Sequence, residues 1–314
     1  MRAKTTSDSD RPTASAEAGQ DPSVGHNGES AALAWIHGSF RIPGDWEITH
    51  FATSEAEGRL DFANRHGHQA RLAWQPCKRA PDCERIMSAF YERYLLRESR
   101  EEVKAFSGLR TEPAGRFLLG YHTPENPSQA ALYREAKRTL LIWTFPPCPG
   151  ESPAKRWRPL LVSFAPNDGP WREWAAFGLH FFLPRGFALE AVTCFPANVS
   201  LTFENAAGQR CACHRWGIPG ELLRGTDLAG FYRKVIAADG GRVLSTQPGD
   251  YRGMASVAAT IERPGARGVE RLYGAAWKGS GRIWHNTEER RLCAFEQSGP
   301  RKAQPLDEEK VFPA

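Results

Sequence analysis

The 314-residue chain has no apolar run close to the ~18–20 residues that a membrane-spanning helix needs. It has no Gly-x-Ser-x-Gly elbow, no GxxxxGK[ST] loop and no strand-linked GxGxxG. Nucleophile-elbow, P-loop and Rossmann devices are therefore excluded. Lys278-Gly279-Ser280-Gly281 reads as a flexible hairpin, not an elbow. Charge of one sign is scarce: the net value is +5, with local basic clusters only at Lys137-Arg138, Lys155-Arg156 and Arg290-Arg291. That balance permits an acidic partner without requiring one. Seven cysteines at irregular spacings give no disulfide framework, which fits a reducing cytoplasm. The first twenty residues lack an apolar core, so no secretory signal is expected. What is present is core-forming material, 41% hydrophobic and 11% aromatic, in a length that suggests two domains.

Residues 1–32 are rich in Ser, Ala, Gly, Asp and Thr, with Val24 the one large apolar residue. Such a segment cannot offset its ordering entropy and is expected to be a disordered tail. Beyond it lies an internal repeat. WIHGSFRIPGDWEITHF, from Trp35, aligns with AFGLHFFLPRGFALEAV, from Ala176, at a fixed offset of 141. Phe40 meets Phe181, Pro43 meets Pro184, Leu60 and Phe62 meet Leu201 and Phe203, and Phe90-Tyr91 meets Phe231-Tyr232. Further on, 131–145 resembles 282–295 at an offset near 151. The expected organisation is one unit over 33–168, a second over 171–298, and a loose C-terminal tail over 299–314.

Each unit alternates apolar and polar residues in short runs. Strands are expected at 39–42, 46–51, 58–63, 70–74, 116–122, 132–136 and 138–145. Asp82 is placed to cap a helix to about Arg97, with Ile86, Phe90, Tyr94 and Leu95 inward, and 100–106 as an extension. Residues 155–164 read as either a short helix or a strand. The second unit repeats the plan, with a helix at 226–238 and strands near 179–183, 187–192, 199–204, 210–215, 254–262, 270–276, 282–286 and 291–296. Strands, one main helix, then strands is an α+β class: two tandem copies of an antiparallel β-sheet unit with flanking helices.

FRIPGDWEI and FFLPRGFAL, each followed by an LxF strand (Leu60-Asp61-Phe62 and Leu201-Thr202-Phe203) and a later helix, resemble the PsbP/DcrB-like superfamily as a tandem duplication. The resemblance implies an α/β/α sandwich on an antiparallel sheet, and a binding or assembly role without a shared catalytic site. It transfers no catalytic residue.

Four groupings have chemical potential. Cys211-Ala212-Cys213-His214 has a zinc flavour, but a strand would put His214 on the opposite face from the two thiols. Core packing is the expected role, with no metal and no cofactor. Cys77 and Cys83 flank a basic loop, and His66-Gly67-His68 sits in a hairpin turn; both are expected to be functionally silent. The basic and aromatic residues Trp157, Arg158, Trp171, Arg172 and Trp174 cluster in sequence near the join. They could hold phosphates and stack bases, or seal the seam with Arg stems reaching outward. Trp171, Trp174 and Phe177, spaced by three, would share a face if helical.

The expected function is non-catalytic binding, scaffolding or assembly, with a protein partner. The alternatives are nucleic-acid binding through the basic, Trp-rich join and an enzyme with an inter-domain cleft; more weight falls on no enzyme.

Overall fold

The computed structural model describes residues 30–98, 109–264 and 276–313. A hairpin comes first in each half of the chain. In the first half β1 (Ser30–Trp35) and β2 (Gly38–Pro43) form one; β11 (Trp171–Ala176) and β12 (Leu179–Pro184) form the other. Together with the two-residue β10 (Ala165–Pro166) they build one five-stranded sheet in the order β10-β2-β1-β11-β12. The two halves thus share this sheet, since their hairpins pair with each other through Ala34 and Ala175, and three sheets are seen where two tandem sheet units were expected. Residues 30–32, expected in the tail, are strand because they pair with Arg41–Pro43.

The first seven-stranded sheet contains β3 (Glu47–His50), β4 (Gly58–Asn64), β5 (Gly67–Pro76), β6 (Arg110–Ala114), β7 (Phe117–Tyr121), β8 (Ser128–Arg134) and β9 (Thr139–Phe145) in the order β3-β4-β5-β9-β8-β7-β6. The second contains β13 (Phe187–Phe195), β14 (Asn198–Asn205), β15 (Arg210–Gly217), β16 (Arg242–Tyr251), β17 (Met254–Pro264), β18 (Ala276–Asn286) and β19 (Arg291–Gly299) in the order β13-β14-β15-β19-β18-β17-β16. All pairings are antiparallel. The offset of 141 places Phe40 and Phe181 on the second strands of the two hairpins, and Phe62 and Phe203, both fully buried, on β4 and β14.

Helices α1 (Cys83–Glu98) and α4 (Leu228–Ala238) follow β5 and β15. They bury Tyr91 and Tyr232, again 141 apart. On α1 the inward line runs through Met87 and Tyr91, not Ile86 and Phe90, which are half-buried. The Tyr91 hydroxyl lies 2.9 and 2.8 Å from the carbonyl oxygens of Gly120 and Pro127, which share its one donor proton. The expected extension at 100–106 lies outside the described residues, as does most of the strand expected at 270–276.

One large core joins the five-stranded sheet to both seven-stranded sheets. It includes Leu33, Trp35, Phe62, Trp143, Trp174, Phe181, Phe203 and Phe295. A second core lies under α4 on the other face, around Trp216, Tyr232, Ile236 and Ile283. The second half is thus layered as helix, sheet and sheet, in place of an α/β/α sandwich. Helix α2 (Pro153–Val162) resolves the ambiguity at 155–164, with Pro153 in the first turn where proline lacks only an unneeded donor. The short α3 (Pro219–Leu222) precedes α4.

Two further readings are corrected. Lys278–Gly281 lies within β18, not in a hairpin. A Cβ on Gly279 would sit 2.0 Å from the carbonyl oxygen of Gln297, and one on Gly281 1.9 Å from Tyr232 Oη, so these glycines mark close approach within a strand. Residues 242–251, to which no element was assigned from the sequence, form β16, an edge strand that tolerates Pro248. The C-terminal segment is packed. Its short helix α5 (Glu308–Val311) buries Val311, Phe312 meets the rings of Phe181, Trp284 and Phe295, and Gln297 bonds both the N–H and the carbonyl of Leu306.

Candidate functional site

Residues from both halves meet around the β1–β2 turn. Asn167, in the connection between halves, donates from Nδ2 to the carbonyls of Trp35 (3.3 Å) and Glu173 (2.7 Å) and accepts from the Glu173 N–H. One amide thereby ties β1 to β11. Arg172 on β11 is buried and pairs with Glu55 from the β3–β4 loop. Arg134, at the end of β8, donates to the His37 carbonyl at 2.6 Å and pairs with Asp168. Lys137 and Arg185 complete the cluster, and Arg185 also donates to the Asp168 carbonyl.

The electrostatics follow from crowding. Burial raises the Asp168 carboxyl, but the Arg134 hydrogen bond and the charges of Arg134, Lys137 and Arg185 outweigh it and hold it below the usual range. Burial also lowers the Lys137 ammonium, helped by Arg185 and opposed by Asp168. The His37 ring, 5.5 Å from Trp74, is brought down to about 4, by burial first and then by the Arg134 charge. It is therefore neutral at pH 7. In the unfolded chain it would take a proton near its ordinary 6.5. The depressed folded value means His37 contributes stability that is full above pH 6.5 and is lost as pH falls toward 4. Replacing His37 with Phe should flatten the fall in urea midpoint between pH 7 and pH 4.5; identical slopes for variant and wild type would remove His37 as the cause.

The five residues singled out in the sequence are not gathered into one open surface. Trp157, 3% exposed, lies on α2 and stacks on Phe145 at 4.4 Å. Its neighbour Arg158 is exposed and pairs with Glu112 at 3.1 Å. Trp171 is half-buried against the main core. Trp174 is 0% exposed, with Trp35 at 5.5 Å and Phe203 at 4.7 Å. The helical spacing read for Trp171, Trp174 and Phe177 is corrected: β11 is a strand, and Phe177 and Gly178, both at positive φ, turn it into β12. The aromatic bodies seal the seam, and the polar ring around them comes from His37, Glu55, Arg134 and Asp168.

Cys211 and Cys213 point into the main core, and burial pushes both thiols well up. His214 faces the other way and meets Glu296 at 3.1 Å; Arg263 reaches the same carboxylate at 2.5 Å. Burial opposes ionisation of Glu296, yet the hydrogen bonds and charges of His214 and Arg263 hold it at about 2. Among the described residues no three His, Cys, Asp or Glu side chains are grouped to hold a metal, and no helix is long and apolar enough to cross a membrane.

No family model matches the sequence, and no curated protein matches it. Among solved structures, the solution structure of cyanobacterial PsbP (CyanoP) from Synechocystis sp. PCC 6803 is similar to part of the chain. The identity is 14%, over 42% of this chain and 81% of that one, with a TM-score of 0.30. A likeness at that level carries no argument about function, and the α+β class of this chain stands on its own strands and helices.

Proposed function

We propose that the protein is a non-catalytic binding protein that takes an acidic protein partner at the join between its halves. The observation that carries this is the charge left over there. Arg134, Lys137, Arg172 and Arg185 converge from separate elements on Glu55 and Asp168. The two carboxylates are committed to Arg172 and Arg134. Lys137, half-buried, and Arg185, exposed, therefore present positive charge outward. Such a surface steers and orients an acidic partner. Burial of the Trp157 and Trp174 rings favours protein over nucleic acid, because base stacking needs an open ring face. The equal strand order of the two large sheets and the offset-matched residues support an origin by tandem duplication of one unit. Seven free cysteines, four of them buried, fit a reducing cytoplasm.

The test is binding of the full chain to poly-glutamate and to a single-stranded oligonucleotide across a salt series. Poly-glutamate should bind, and Lys137→Glu with Arg185→Glu should abolish it while leaving the melting temperature within a few degrees. Tighter oligonucleotide binding with quenched Trp fluorescence would put the nucleic-acid alternative ahead. Binding unaffected by the double reversal would remove the join as the site.

A further inference from the structure

The hairpin turn at the start of each half sits over the fifth strand of that half. In the first half His37 lies against Trp74. At the fixed offset of 141 the same two places are held by Gly178 and Arg215. A ring pair has become a glycine and a guanidinium. Gly178 has φ +72, and a Cβ built there would lie 2.1 Å from Arg215 Nη1 and 2.7 Å from Arg291 Nη1. The two Nη1 atoms therefore lie within about 5 Å of each other, beneath a turn that only glycine can make so close.

Among the described residues no carboxylate pairs with Arg215, and the charge of Glu289 reaches it only from beyond ion-pair distance. The cross-strand neighbours of Arg215 on β14 and β19 are Val199 and Cys293, neither of which is a carboxylate. Among the described residues Arg215 has no hydrogen bond or ion pair, and its Nε is buried without a partner. Arg291 has one carboxylate, Glu289, at 3.2 Å, and Glu289 is half exposed. Burial lowers the Arg215 pKa, and the like charge of Arg291 lowers it further. A half-buried, unpaired guanidinium beside a second one is unfavourable unless an anion joins them.

We infer that Arg215 and Arg291, under the Phe177–Gly178 turn, form a binding site for an oxyanion of the carboxylate or phosphate class. Planar guanidiniums offer paired donors that fit two oxygens of such a group. Gly178 leaves room for the two guanidiniums to lie beneath the turn, and Glu289 at the rim pairs with Arg291. This site is separate from the join and does not depend on the function proposed for it.

Inorganic phosphate and acetate are the probes, titrated against the full chain by calorimetry at constant ionic strength, with thermal melting in parallel. At least one should bind and raise the melting temperature. Phosphate binding tenfold or more tighter than acetate would assign the phosphate class, and the reverse order the carboxylate class. Arg291→Gln, at a partly exposed position, should fold normally and weaken binding at least tenfold. Arg215→Gln should abolish it, and Gly178→Ala should weaken it by displacing Arg215. The inference is overturned if neither anion binds the wild type. It is equally overturned if binding survives unchanged in a folded Arg291→Gln variant.

Discussion

Replacing Trp174 with alanine should destabilise the protein by about 3–5 kcal/mol, the usual cost of emptying a buried aromatic site. The ring lies between Trp35 of the first half and Phe203 of the second sheet, so the loss falls on the seam. Protease cleavage near Asp168 should rise in the same variant. Trp174→Phe should cost far less. It keeps an aromatic body and removes an indole N–H that is buried without a partner, whose desolvation already opposes folding. Chemical denaturation of the three proteins checks this. Equal midpoints for wild type and Trp174→Ala, with a drop in anion or oligonucleotide affinity, would instead make the ring a ligand platform.

The second large effect is expected at Glu296. Its carboxylate holds His214 and Arg263 together in the interior, and among the described residues Arg263 has one further anion, Asp239 at 3.6 Å. Glu296→Ala would leave a buried guanidinium nearly unpaired, a change that costs about 3–5 kcal/mol. The same group sets an acid limit. Its folded value near 2 lies below the 4.5 of a free glutamate. Its contribution, roughly 3 kcal/mol, is complete above pH 4.5 and is lost as pH falls from 4.5 toward 2. In Glu296→Gln the stability should be lower at pH 7, and the slope across that window should shrink. An unchanged slope would place the acid sensitivity elsewhere.

These interiors differ in how far they could be read from the chain. Phe62 and Phe203, or Tyr91 and Tyr232, occupy matched places because burial of an aromatic at a given strand or helix position leaves a mark that repeats. The polar groups leave none. Arg134 reaches His37 across 97 residues and Arg172 reaches Glu55 across 117, so no local pattern announces either pair. Gly279 and Gly281 misled for a related reason. Glycine spacing signals a turn when flexibility is its purpose, and here its purpose is room for Gln297 and Tyr232. The Trp171–Trp174 spacing was compatible with a helix until Phe177 and Gly178, at positive φ, closed a hairpin that only the partner strand defines.

The shared five-stranded sheet sets an order of events in folding. Its central bridge joins Ala34 to Ala175, so closing it encloses most of the first half in a single loop. Loop-closure entropy grows only slowly with length, but such distant contacts still delay the transition state relative to hairpins closed locally. Each β-hairpin should therefore form before the two meet. Completion of the sheet then becomes the late, rate-limiting event, and mutations at Trp35 or Trp174, whose contacts form in that step, should slow folding as well as speed unfolding.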